Sequence, residues 1–178
     1  MEALEAVLGR KTIREYTPER IDNTRLRALL SAAERAPSGR NAQPCHVRFT
    51  QNAVMLQKMQ VDFKNIVGWD TPVHTRSDKN PFYHNAPLFA FIFAEREAPM
   101  DAGIMAENIA IAARAVGLES VIVGSVGALF SDAAAGAKWR QALDIPPDYP
   151  FMVGIGIGCG DEDPPFKDRE PNRIKIIE

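Results

Sequence analysis

The chain has 178 residues, of which 46% are hydrophobic and 25% charged, with a net charge of -2 and a pI of about 6.0. This composition fits one globular domain spanning residues 1–178, with roughly 70% of the unfolded surface buried, and excludes a general electrostatic attraction to nucleic acid or anionic membrane. The two cysteines, Cys45 and Cys159, form no CxxC or Cys/His cluster, so no metal site is expected and a reducing compartment fits. The N-terminus carries no apolar signal core and no run of about 18 apolar residues occurs, which predicts a cytoplasmic chain that does not span a membrane.

Taken in order, Leu4, Val7 and Leu8 form a short helical stripe with a core-facing spacing. Thr17-Pro18 reads as a helix start, with Asp22 or Asn23 as a further cap. Leu26, Leu29, Leu30 and Ala33 then recur at i, i+3, i+4 and i+7, as in an amphipathic helix. Ala36-Pro37-Ser38-Gly39 breaks it. Residues 46–50 suit a short strand. Residues 53–66 suit a helix with Val54, Met55, Met59, Phe63 and Ile66 inward. Residues 67–86 show no period and read as a loop covering a pocket, with Trp69, Phe82, Tyr83 and His84 as stacking groups.

The run 87–94 (PLFAFIFA) is continuously apolar, as expected of a strand covered on both faces. Asp101 opens a helix that buries Met105, Ile109, Ala112 and Val116, and Gly117 closes it. Residues 121–126 and 151–158 predict two more buried strands, separated by a helix over 131–142 that carries Trp139. The tail from Asp161 is charged and proline-rich, and residues 173–177 alternate well enough for an edge strand. One α+β domain is the economical outcome.

Four segments carry chemistry. Arg10-Lys11-Thr12-Ile13-Arg14 offers two guanidinium forks, a point charge and a hydroxyl, a set suited to a phosphate. Alone, such a run is more often a solvated helix end. Pro37-Ser38-Gly39-Arg40-Asn41-Ala42-Gln43-Pro44 has the residues of a ligand loop and equally those of a helix-ending turn. Gly124-Ser125, closing a strand, offers backbone donors, or a glycine chosen for close packing. Lys167-Asp168-Arg169 adds cations near the end, or is a charged tail. Two other signals fail. Gly154-Ile155-Gly156-Ile157-Gly158-Cys159-Gly160 fits G-x-G-x-x-G in no register and runs into Asp161-Glu162-Asp163 instead of a helix. His46, His74 and His84 are too scattered for a local metal or nucleophile motif.

The order of these segments resembles the nitroreductase family. RKTIREY is similar to its R-x-[ST]-x-[RK]-x-[FY] opening. PSGRNAQPC is similar to its P-S-x-x-N-x-Q-P-W loop, with Cys45 where an aromatic residue is usual. The resemblance covers roughly residues 4–176. It implies an α+β fold with a central mixed, mostly antiparallel sheet flanked by helices. It also implies an intertwined homodimer in which the C-terminal strand joins the partner's sheet.

The resemblance further implies FMN as cofactor, with NAD(P)H as electron donor and a ping-pong transfer of hydride to a small acceptor such as a nitroaromatic, quinone or enone. A flavin-binding protein without catalysis is the alternative on the same fold. The cofactor-binding residues it implies are Arg10, Lys11, Thr12, Arg14, Pro37, Ser38, Gly39, Asn41, Gly124, Ser125, Lys167 and Arg169. No protein nucleophile is implied: the flavin N5 carries the chemistry, with Arg14 as electrostatic support, the 37–44 loop reaching in from the second subunit, and the strand-end backbone at Gly124 and Ser125 facing N5.

Overall fold

A computed structural model describes residues 2–69, 82–171 and 173–177. Its centre is β2 (Leu88–Ala94), every residue of which is buried. Side chains alternate across a strand, so β2 presents two different surfaces. Phe89, Phe91 and Phe93 face one layer, and Leu88, Ala90 and Ile92 face the other. Burying each phenyl ring contributes roughly 1.5–3 kcal/mol.

β2 pairs antiparallel with β1 (Cys45–Thr50) on one side and β4 (Phe151–Gly158) on the other, and β4 pairs antiparallel with β3 (Glu119–Val123). The sheet order is β1-β2-β4-β3. The only parallel pairing among the described residues is a single bridge between Thr12 and Ser120.

The aliphatic face is covered by α2 (Asn23–Glu34) and α4 (Pro99–Ala115), which also carries the short α1 (Ala3–Gly9). Asp22 starts α2 by accepting from the N–H groups of Thr24 and Arg25. The aromatic face is covered by α3 (Ala53–Val67), α5 (Gly127–Ser131) and α6 (Ala133–Ala142). Asn52 caps α3 and Asp132 caps α6, each through its side chain.

The glycines of β4 are explained by this layering. A Cβ at Gly154 would lie 2.6 Å from the Phe89 ring, and one at Gly158 would lie 2.6 Å from Pro87 and 2.8 Å from Tyr16. The repeat serves close packing inside a strand, and its intervening Ile155 and Ile157 fill the aliphatic layer.

Several expectations need correction. The Leu4, Val7 and Leu8 stripe forms its helix, but Ala6 is the residue it buries, and Leu4 and Leu8 are each 67% exposed. Thr17-Pro18 starts no helix; Thr17 lies in an extended segment tied to the sheet. Val54 and Ile66 of α3 are exposed. α4 starts at Pro99, a residue suited to a first turn. β3 stops at Val123, and the helix expected over 131–142 runs from Ala133 to Ala142, preceded across Asp132 by the short α5, which was not expected. Phe82 and Tyr83 are core residues of the aromatic layer, not pocket-facing rings. Residues 70–81 of the expected loop lie outside the described residues. Residues 173–177 join no strand of their own chain.

Candidate functional site

The segment after α1 is extended and lies across the ends of β3 and β4. Its period-two alternation turns Ile13 into the core while Thr12 and Arg14 stay exposed. Backbone bonds stitch it down: Ile13 N–H donates to Ser120 O at 3.0 Å and Thr17 N–H to Cys159 O at 2.9 Å. The Tyr16 hydroxyl lies 2.5 Å from Ile13 O and 3.3 Å from Gly156 O, so it ties the segment to β4. Burial, reinforced by the charges of Glu119 and Glu162, pushes its pKa far above the ordinary phenol value, so it stays a donor.

The tail folds back onto this segment. Asp161 N–H donates to Glu15 O at 2.8 Å. The Glu162 carboxylate accepts from Arg14 N–H at 2.5 Å, and Asp163 pairs with Lys11 at 2.5 Å. Hydrogen bonding to Lys11 holds the Asp163 carboxyl below its usual range. Lys11 also sits 4.7 Å from the Phe166 ring centroid. The acids that count against a nucleotide loop therefore serve to pin the tail to the cationic segment.

Between segment and tail lies a cavity of about 300 Å³. Arg10, Lys11, Thr12, Arg14, Lys167 and Arg169 all line it, joined by His84, Glu162 and Phe166. Residues more than 150 positions apart in sequence thus form one wall set. The five cations are not equivalent. Arg10 is engaged by Glu107 of α4 at 3.2 Å and Lys11 by Asp163. Arg14, Lys167 and Arg169 have no carboxylate partner among the described residues. Concentrating like charge without compensation is unfavourable, and an entering anion relieves it.

The 37–44 loop belongs to a second cavity, of about 390 Å³. Ser38 Oγ accepts from Gln43 N–H at 2.9 Å and Asp101 of α4 accepts from Gly39 N–H at 3.1 Å. Arg40, Asn41 and Gln43 all adopt positive φ, at 55°, 55° and 48°. Pro37 and Ser38 line this cavity with Cys45, Asp101 and Met105, while Gly39 and Asn41 do not. Burial pushes the Cys45 thiol above its ordinary pKa, which disfavours a reactive thiolate. Gly124 and Ser125 line neither cavity; they precede α5, whose first turns bond back to their carbonyls. A Cβ at Gly124 would meet nothing within 4 Å, so close packing does not explain that glycine.

The sequence model of the nitroreductase family matches residues 7–159. The chain belongs to the nitroreductase family. Among solved structures, this nitroreductase superposes on one from Bacteroides fragilis with bound FMN, at a TM-score of 0.89 and 23% identity, each chain covered fully. An FMN-dependent nitroreductase from Clostridium difficile gives a TM-score of 0.82 and 26% identity over 99% of both chains. A protein of Methanothermobacter thermautotrophicus provisionally named NADH dehydrogenase/NAD(P)H nitroreductase is 28% identical over 99% of this chain and 87% of its own length.

The family match stops before the tail, so the convergence of Lys167 and Arg169 on the cavity is a finding of the structure. Glu162 and Phe166 were not among the site residues expected from sequence, and His84 was expected only as a stacking group of the 67–86 loop, not as a wall of the cationic cavity. Glu162 carried a weak signal, as one of three consecutive acids beside a basic tail.

Proposed function

We propose that this nitroreductase binds FMN through the cationic cavity and uses it to pass hydride from NAD(P)H to a small electron acceptor. The observation that carries the reading is the convergence of Arg14, Lys167 and Arg169, all without carboxylate partners among the described residues, on the cavity that Thr12 also lines. That donor set fits a phosphomonoester: forked and point cations with a neutral hydroxyl. Charge-assisted bonds to such a group are worth roughly 1.5–3 kcal/mol each.

When bound, FMN supplies the two-electron chemistry, taking hydride from the nicotinamide and giving it to the acceptor in a ping-pong sequence. The protein contributes position and charge. Lys167 and Arg169, with Thr12, hold the phosphate. Arg14, held at its backbone by Glu162, brings positive charge toward the ring, where it favours the electron-rich form. The backbone N–H groups of Gly124 and Ser125, just past the end of β3, would be offered to the ring from outside the walls of the cationic cavity.

The second cavity acts across a homodimer in this reading. Ile174, Ile176 and Ile177 are 93%, 90% and 86% exposed, and Leu4, Leu8 and Met100 are exposed as well. Apolar surface on this scale calls for a partner. The outer edge of β3 is met by Thr12, whereas β1 ends the sheet with no strand beyond it among the described residues. The 173–177 segment of a second copy therefore pairs with β1, bringing the 37–44 loop to the other copy's site.

The test is a visible spectrum after adding FMN and desalting, repeated anaerobically with NAD(P)H. A retained flavin spectrum that bleaches is the expected result. A retained flavin that stays oxidised marks a non-catalytic flavin protein, and no retained flavin overturns the assignment of the cavity.

A further inference from the structure

The cationic cavity has a third wall, between the segment and the tail, and it is made by a turn rather than by a basic motif. Phe82 and Tyr83 are buried in the aromatic layer, and Ala86 N–H closes the turn on Tyr83 O at 2.9 Å. With both ends fixed, His84 and Asn85 take left-handed conformations, φ 54° and 55°. Such a conformation costs a histidine energy that the surroundings must offset, and such outliers gather at ligand sites. Here it aims the His84 side chain into the cavity, where it forms no hydrogen bond to a described residue.

Among the described residues, the charged and titratable groups around it come from two elements. The 10–15 segment supplies Arg10, Lys11, Arg14 and Glu15, and the tail supplies Glu162, Lys167 and Arg169. Of all these, only an imidazole ordinarily changes charge between pH 5 and 8. His84 is thus the imidazole of the described wall set.

We propose that His84 is a ligand-contacting residue of the cationic cavity and that it takes up a proton when a phosphate group binds there. The inference rests on the FMN reading and adds a residue and a proton to it. Without ligand, burial and the neighbouring Arg14 push the His84 pKa down to about 4, against a smaller opposing effect of Glu162. The imidazole is then neutral through the whole physiological range. A phosphate dianion offsets the positive field of Arg14 and favours the imidazolium, so the pKa is higher in the bound state.

The sign follows from that difference. A group with a higher pKa in the bound state strengthens binding as pH falls through the bound-state pKa, and the gain is complete only near the free-state value. The phosphate's own second ionisation near pH 6 works in the opposite direction. It is common to any variant and cancels in a ratio.

The experiment measures FMN affinity from pH 8.5 to 6.0 for the wild type and for His84→Asn, since asparagine tolerates a left-handed φ and does not titrate. The wild-type affinity is expected to gain on the variant by about threefold or more over that range. Riboflavin, which lacks the phosphate, is expected to show no such gain. A second measurement needs no variant: the imidazole resonances of His84, followed while inorganic phosphate is added at pH 6.5, should move toward the protonated form. Parallel pH profiles for the two proteins, an equal gain with riboflavin, or unmoved resonances each overturn the role of His84 while leaving FMN binding intact. Failure of the wild type to bind FMN at all overturns this inference together with the reading beneath it.

Discussion

The two cavities were assembled in opposite ways. The cationic one draws its described walls from residues 10–15, from His84 and from 162–169, segments far apart in the chain. The other is dominated by α2, the loop that follows it and the start of β1, with α4 closing the back. Its loop satisfies itself: Ser38 bonds Gln43, and the Asn41 side chain accepts from Gln43 Nε2 at 3.1 Å. The first cavity is left with unbalanced charge, the second with strained backbone and exposed apolar surroundings. The first therefore calls for an anion, while the second calls for another protein surface.

That contrast can be broken most directly at Arg14. Arg14→Ala removes a cation that has no carboxylate partner among the described residues and is expected to weaken FMN binding by about 1.5–3 kcal/mol, measured by flavin fluorescence titration. Ser38→Ala, in the self-satisfied loop, should cost far less. Equal losses from the two would erase the distinction between the cavities. Removing residues 173–178 should shift sedimentation toward monomer and loosen FMN, because the second cavity would lose the copy it serves. A truncated chain that stays fully dimeric would reject the β1 edge as the receiving site. The smallest effect is expected at Arg10. Its charge is already engaged by Glu107 in a partly exposed pair, so Arg10→Ala should cost about 1 kcal/mol or less. A loss as large as that of Arg14→Ala would show that Glu107 releases Arg10 when the ligand enters.

Strands were legible wherever burial was two-sided. The apolar run of β2 and the glycine-isoleucine alternation of β4 leave few alternatives for those segments. Helices with a wide apolar stripe were legible too, as at Leu29 and Ala33. The failures have separate causes. Leu4, Val7 and Leu8 have core spacing, yet a short helix riding on α4 can bury only its narrowest residue, Ala6, inside one chain. Phe82 and Tyr83 were misread because an aperiodic stretch gives no sign of which side its rings take.

Sequence alone determined the family-like order of segments, the α+β class, the two buried central strands and the basic residues suited to phosphate. These depend on local pattern and on residue chemistry, which the chain carries in linear form. Tertiary structure decided which cations lack a described carboxylate partner, that the Glu162 and Asp163 carboxylates pin the tail, and that His84 lines the cavity. Each of these depends on distances between segments far apart in the chain. Such distances are fixed only when the aromatic and aliphatic layers close on the two faces of β2.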